Sequence, residues 1–310
     1  MMTHRRWVTW VLASTLALSL LAGAANYSAD VFGVYRSTKN RELKVYHNGR
    51  TTKFLLSFDY IPTNFSGLFI GSSVTENWDT SKIESARVYN ASFTGANISE
   101  QALVARNVFA RRRLRLVIIT VFPYQTASHG RKTSYMVSGE YWAGLGSIAL
   151  LRAYTGLALE RLAARPPEHD SQGVSSHSAV FVAPAAGRPS ARTIEVVDPL
   201  GFADFVALVR EAHAHAEQVV AMIPPYARPV WEAQRTFLTR YAKSALAAFQ
   251  PDDIVVDFNR PEYAAFQNEP TNFADGTHIS SEATSFLTKE LARLVQSEEG
   301  PRVREYLRMQ

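Results

Sequence analysis

From about residue 55 onward, short apolar runs alternate with segments whose apolar side chains recur every three or four positions. The runs cover residues 67–73, 86–92, 114–121, 218–225 and 253–258, and are short and rich in Val and Ile. They nearly lack the in-out alternation of a half-exposed strand, which predicts parallel strands buried on both faces. Helical periodicity covers 99–113, 203–217, 230–248 and 281–296. Strand and helix in turn predict a doubly wound α/β sheet with right-handed crossovers. A flavodoxin-like strand order, 2-1-3-4-5, would put the switch point between the first and third strands, beside Ser73.

Two stretches break this rhythm. Near the N-terminus, His4-Arg5-Arg6 precedes an uncharged run from Trp7 to Ala25. As a helix that run would span about 28 Å at about 1.5 Å per residue, close to the thickness of a hydrocarbon core. Basic residues before it and none just after it predict an N-terminus in the cytoplasm and a body outside. Trp7 and Trp10 suit the inner interface, while Ala22-Gly23-Ala24 also fits signal-peptide cleavage, so anchor and cleaved signal both stay open. Residues 1–25 are read as this segment, 26–54 as a polar juxtamembrane linker, and 55–310 as the α/β domain. The second stretch, about 124–197, contains one helical pattern at 147–164 and a region rich in Pro, Ser, Gly and Ala at 165–192. It reads as an insertion over the carboxyl edge of the sheet.

Composition narrows the chemistry. The chain has 310 residues, 46% hydrophobic, enough for one large core. It contains no cysteine, which excludes disulfides, thiolate-zinc sites and a cysteine nucleophile. A formal charge of +5 favours anionic partners such as acidic polysaccharide or lipid headgroups. Nucleic acid is disfavoured, because the basic residues are scattered apart from Arg111-Arg112-Arg113 with Arg115, a cluster read as a solvated helix end. His213 and His215 face different sides of a helix, so that pair reads as a solvated face, not a zinc site. His129, His169 and His177 show no ligand-like spacing, and Tyr141 and Trp142 read as core.

Three segments carry the candidate chemistry. Gly71-Ser72-Ser73 closes the first apolar run, where a serine hydroxyl would face the crevice and nearby backbone N–H groups could stabilise an oxyanion. Asn90-Ala91-Ser92-Phe93-Thr94-Gly95 follows the second run, with a glycine that allows close backbone approach to a ligand. Asp275-Gly276-Thr277-His278 precedes the last helix, with a carboxylate three residues before an imidazole. Alone, the first two read more readily as ordinary turns, and the third reads equally as a helix cap.

In order, the three resemble the blocks of the Ser-Gly-Asn-His (SGNH, or GDSL) hydrolase superfamily, over about residues 55–294. The resemblance implies an α/β three-layer sandwich with a parallel sheet, with Ser73 as nucleophile, His278 as general base and Asp275 as its orienting partner. It also implies an oxyanion hole from the backbone N–H groups of Ser73 and Gly95, and no metal or organic cofactor. One block departs: where Gly-x-Asn-Asp belongs, the chain reads Thr120-Val121-Phe122-Pro123-Tyr124-Gln125, without asparagine. Tyr124 and Gln125 are candidates to replace that donor, and Asn259, at the end of the fifth run beside Asp257, is a second-rank substrate contact. The N-terminal apolar segment, Ile223-Pro224-Pro225-Tyr226 and the Asn272-Phe273-x-Asp-x-x-His ending resemble exported members that modify cell envelopes, such as alginate O-acetylation proteins and the D-alanyl transfer protein of teichoic acid export. That layout implies a serine esterase or O-acyltransferase in the bacterial inner membrane, with its catalytic domain in the periplasm. Its substrate would be an acylated envelope polysaccharide and its partner a membrane-bound O-acyltransferase. The rival expectation is a non-catalytic protein of the same fold that binds polymer or scaffolds that partner.

Overall fold

The five apolar runs form one parallel sheet: β1 (Gly67–Ile70), β2 (Val88–Asn90), β3 (Leu114–Thr120), β4 (Ala216–Ile223) and β5 (Ile254–Asp257). The computed structural model describes residues 4–30, 32–45, 49–130, 158–159, 162–163, 167–175, 196–297 and 299–309. The order is β2-β1-β3-β4-β5, with β1 flanked by β2 and β3. This is the doubly wound order expected from the pattern. Its physical basis is visible in β1, where all four residues are buried, so both faces need cover.

Strand geometry divides the core in two, because successive side chains point to opposite faces. Leu68, Ile70, Val117, Ile119 and Ala221 pack with the Ile98–Phe109 and Pro199–His215 helices. Phe69, Leu116, Ile118, Val220 and Met222 pack with Trp78 and the Ser281–Ser297 helix on the other side. The Ile98–Phe109 helix starts just after Gly95 with a capping box. Asn97 accepts from the Glu100 N–H, and Glu100 accepts from the Asn97 N–H.

The segment read as a polar linker is folded onto the domain. Val34, Thr38, Val45 and Lys53 are buried, and residues Gly49–Leu56 form a helix against the first core. Its polar look conceals local wiring: buried Asp30 accepts from the backbone N–H groups of Val34 and Arg36, and pairs with Arg41.

Most of the expected insertion, including the 147–164 pattern apart from a few residues, Tyr141, Trp142 and His177, lies outside the described residues. Its base is closed where the Asp198 N–H donates to Thr126 O at 2.8 Å. Residues 167–175 lie against the edge of β2 and the Ser73 turn. The Asn90 N–H donates to Gln172 O at 2.8 Å, and the Ser175 N–H donates to Glu76 O at 2.9 Å.

Upstream of the domain, the His4–Ala29 helix is 26 residues long with a mean hydropathy of 1.8 over its most apolar window. That window is wholly unburied by the rest of the chain, and the helix is long and apolar enough to cross a membrane.

Candidate active site

Ser73 stands where β1 ends. Gly71 is required there by close approach: a Cβ would sit 2.0 Å from Thr75 Oγ1, 2.6 Å from Ser92 Oγ and 2.7 Å from Thr120 Oγ1. Ser72 is extended, and a 3-10 turn, Ser73–Thr75, follows. Helix does not continue into Glu76-Asn77-Trp78, because the Asn90 amide takes the carbonyls of Thr75 (2.9 Å) and Trp78 (3.1 Å). The turn leaves Ser73 half-buried and facing the histidine loop.

That loop is built by Asp275. Its Oδ1 accepts the N–H groups of Thr277 (3.0 Å) and His278 (2.9 Å), while Gly276 takes a φ of +104°. Its Oδ2 faces His278 Nδ1 at 2.7 Å, and His278 Nε2 faces Ser73 Oγ at 2.8 Å. Asn77 locks the two chain segments together, donating to Ile279 O at 3.1 Å and Thr284 Oγ1 at 2.9 Å. Partial burial alone would raise the Asp275 carboxyl. Hydrogen bonds from the His278 ring and backbone and from the Thr277 N–H outweigh it, and hold the carboxyl well below the usual carboxylate range. An ionised Asp275 assigns the proton of the neutral ring to Nδ1 and leaves Nε2 free to accept the Ser73 hydroxyl proton.

Gly95 arrives by way of the neighbouring strand. The parallel bridge Ser72↔Phe93 keeps the register of Phe69↔Asn90, so Ser73 emerges alongside Thr94, next to Gly95. Gly95 has φ +67°, a left-handed conformation that glycine takes without strain. Arg50 braces this loop, donating to Thr94 O at 3.0 Å and pairing with buried Glu100 at 2.6 Å.

Two expected contacts are corrected. Gln125 is fully buried; with its amide turned so that both atoms are satisfied, it donates to Thr120 O (2.8 Å) and accepts from the Ser72 N–H (3.2 Å), supporting the Ser73 turn from below. Asn259 is spent as well: its Oδ1 accepts from the Tyr226 N–H and Gln267 Nε2, each at 3.0 Å, and its Nδ2 donates to Pro224 O at 2.9 Å. In both cases a backbone bend needed the amide first. Tyr124 is half-buried, its ring 6.3 Å from that of Phe122. His213 is not a solvated residue but pairs with Asp253 at 2.7 Å. Among the described residues, no group of three or more His, Cys, Asp or Glu side chains could hold a metal ion.

Sequence reasoning missed Asn77, and also Glu76, Lys53 and His169, which gather under the Ser73 turn. Nothing local marks them, since their partners lie far away in the chain. Alongside the loop carrying Asp275 and His278, Phe266, Asn272, Ser280, Glu282 and Phe286 line an open cleft of about 430 Å³.

The described fold and site are thus those of a doubly wound α/β protein with a serine, a histidine and an aspartate in one hydrogen-bonded line. No family model matches the chain, and no curated protein matches it. Solved structures similar to it include a lipase/acylhydrolase from Enterococcus faecalis, at 14% identity and a TM-score of 0.39, covering 76% of this chain and 97% of that one. An acetylxylan esterase from Geobacillus stearothermophilus is similar at 13% identity and a TM-score of 0.38, over 74% of this chain and 92% of that one.

Proposed function

We propose that this chain is an SGNH-type serine esterase or O-acyltransferase, exported and held at the bacterial inner membrane, that acts on acyl groups of a cell-envelope polysaccharide. The observation that carries the reading is the line Asp275–His278–Ser73, with hydrogen bonds of 2.7 and 2.8 Å. Ser73 Oγ attacks the ester carbonyl carbon as its proton passes to His278 Nε2. The carbonyl electron pair moves onto oxygen, which the N–H groups of Ser73 and Gly95 stabilise. Collapse expels the alcohol, which takes the proton from His278, and leaves an acyl-Ser73 ester. Water or a sugar hydroxyl, deprotonated by His278, then attacks the acyl group and restores Ser73.

The apolar His4–Ala29 helix supports an inner-membrane anchor with the α/β domain on the periplasmic side, where envelope polymers and a membrane-bound O-acyltransferase partner would be in reach. A non-catalytic scaffold is supported only by the missing asparagine, and the intact relay speaks against it. The test is Ser73→Ala. The variant should lose labelling by a fluorophosphonate probe and turnover of p-nitrophenyl acetate; robust turnover by the variant sinks the assignment.

A further inference from the structure

Under the Ser73 turn lies a set of buried charged groups that the proton relay does not use. Glu76, three residues after Ser73, is 5% exposed. Its Oε2 accepts the Thr94 hydroxyl at 2.6 Å, and its Oε1 meets His169 Nε2 at 2.6 Å. Lys53, wholly buried, donates to Ser92 O at 2.5 Å and Gly173 O at 2.7 Å. Burial would raise the Glu76 carboxyl, yet the hydrogen bond from His169, the charge of Lys53 and the Thr94 hydroxyl together hold it below its usual range. Glu76 is therefore an anion, and charge-assisted hydrogen bonds of this length are about twice as strong as neutral ones.

The strand ladder does not reach far enough to set this geometry. Pairing between the two chain segments ends at Ser72↔Phe93. Beyond it, Ser73 enters a 3-10 turn and Gly95 turns left-handed, so the backbones no longer hold each other. The distance between the two N–H groups then depends on side-chain ties across the gap. Glu76 supplies one, since it belongs to the Ser73 turn and grips Thr94, the residue before Gly95. His169 holds the other carboxylate oxygen and the charge of Lys53 favours the anion, both from segments outside the three chemistry-bearing blocks.

We infer that Glu76, acting through the Thr94 hydroxyl, is a positioning residue that sets the oxyanion site between Ser73 and Gly95. The inference rests on the reading of Ser73 as nucleophile. It accounts for a buried charge cluster that would otherwise be a net cost to folding. With no asparagine to supply a third donor, the spacing of the two backbone donors carries more of the oxyanion stabilisation.

The test compares Thr94→Val, Thr94→Ser and Glu76→Gln in the full chain. Turnover of p-nitrophenyl acetate is measured alongside inhibition by phenylboronic acid, whose tetrahedral adduct on Ser73 imitates the oxyanion. Deleting an oxyanion donor outright costs about 100- to 1000-fold, so displacing one should lower kcat by about tenfold or more. Thr94→Val and Glu76→Gln should show that loss with KM within about twofold, and the boronate Ki should weaken by the same factor. Thr94→Ser, which keeps the hydroxyl, should restore both. A purely structural role would lower Tm without this matched loss of kcat and boronate affinity. Wild-type kcat and Ki in folded Thr94→Val or Glu76→Gln overturns the inference, as does a Thr94→Ser protein no better than Thr94→Val. Should Glu76→Gln fail to fold, the Thr94 pair, on an exposed loop position, decides alone. Ser73→Ala separates the two levels: its turnover would sink the hydrolase reading, whereas a dead Ser73→Ala beside an unaffected Thr94→Val removes only the clamp.

Discussion

Gly71→Ala is the sharpest probe of how this fold presents Ser73. The added Cβ would lie 2.0 Å from Thr75 Oγ1, 2.6 Å from Ser92 Oγ and 2.7 Å from Thr120 Oγ1, all on buried residues. Thr75 and Ser92 already hydrogen-bond each other at 2.9 Å, so neither hydroxyl can swing away without losing its partner. Overpacking of this kind costs about 1–3 kcal/mol. A stranded buried hydroxyl adds about 1–3 kcal/mol. The sum, about 2–6 kcal/mol, is a large part of the about 5–15 kcal/mol that holds a typical domain together. At about 2–4 °C per kcal/mol for a large domain, Tm should fall by roughly 4–24 °C. Gly95→Ala is the matched control for stability alone, since Gly95 belongs to the proposed oxyanion site. Its left-handed φ of +67° costs about 1–2 kcal/mol, but its Cβ meets only the Arg50 guanidinium, at 3.1 Å. The assays are urea and thermal melts followed by p-nitrophenyl acetate turnover on the folded fraction. Because β1 leads directly into Ser73, a shift of about 1 Å at Gly71 should cost about 100-fold in kcat. A Gly71→Ala protein that melts within about 1 kcal/mol of wild type and turns over within twofold of it would refute the reasoning.

Asp275→Asn tests the relay by pH. The folded carboxyl lies below its ordinary value near 3.8, so the unfolded chain binds that proton more readily. The stabilisation is fully present above about pH 4 and is lost as the pH falls through the depressed folded value. The Tm deficit of Asp275→Asn should therefore be largest near pH 6 and narrow toward pH 3, while kcat at pH 7 falls by about 10,000-fold; a deficit that widens in acid contradicts the assignment. For the membrane reading, full-length protein should remain with membranes through a carbonate wash and come off only in detergent. Release by carbonate alone would rule out a spanning helix.

The five strands were legible because burial on both faces writes itself into the chain as uninterrupted Val- and Ile-rich runs. The 2-1-3-4-5 order was reachable because few topologies satisfy right-handed crossovers and short connections. The local marks at Ser73, Gly95, Asp275 and His278 are those of ordinary turns and caps, and it is their order along the chain, resembling the SGNH blocks, that singled them out. Amide side chains were read less well. Gln125 and Asn259 stand just past strand ends on the carboxyl edge of the sheet, yet both amides are consumed by neighbouring backbone, and side-chain direction is not encoded in position along the chain. The polar stretch before residue 55 misled for a related reason: its polar groups satisfy one another within the fold and not in water, as Asp30 does.

Local pattern, then, accounts for the elements, their sequence of stacking and the residue types available for chemistry, since each depends on neighbours a few positions away. The line from Asp275 through His278 to Ser73 spans 205 residues of chain and exists only once the fold brings the loop before the Ser281–Ser297 helix up to the end of β1. The same holds for Lys53, Glu76 and His169, drawn from three separate segments into one buried cluster. The charges of Lys53 and Glu76 are tolerable only because packing places a partner within hydrogen-bond reach of each, a condition set by three-dimensional proximity and by nothing in the adjacent residues.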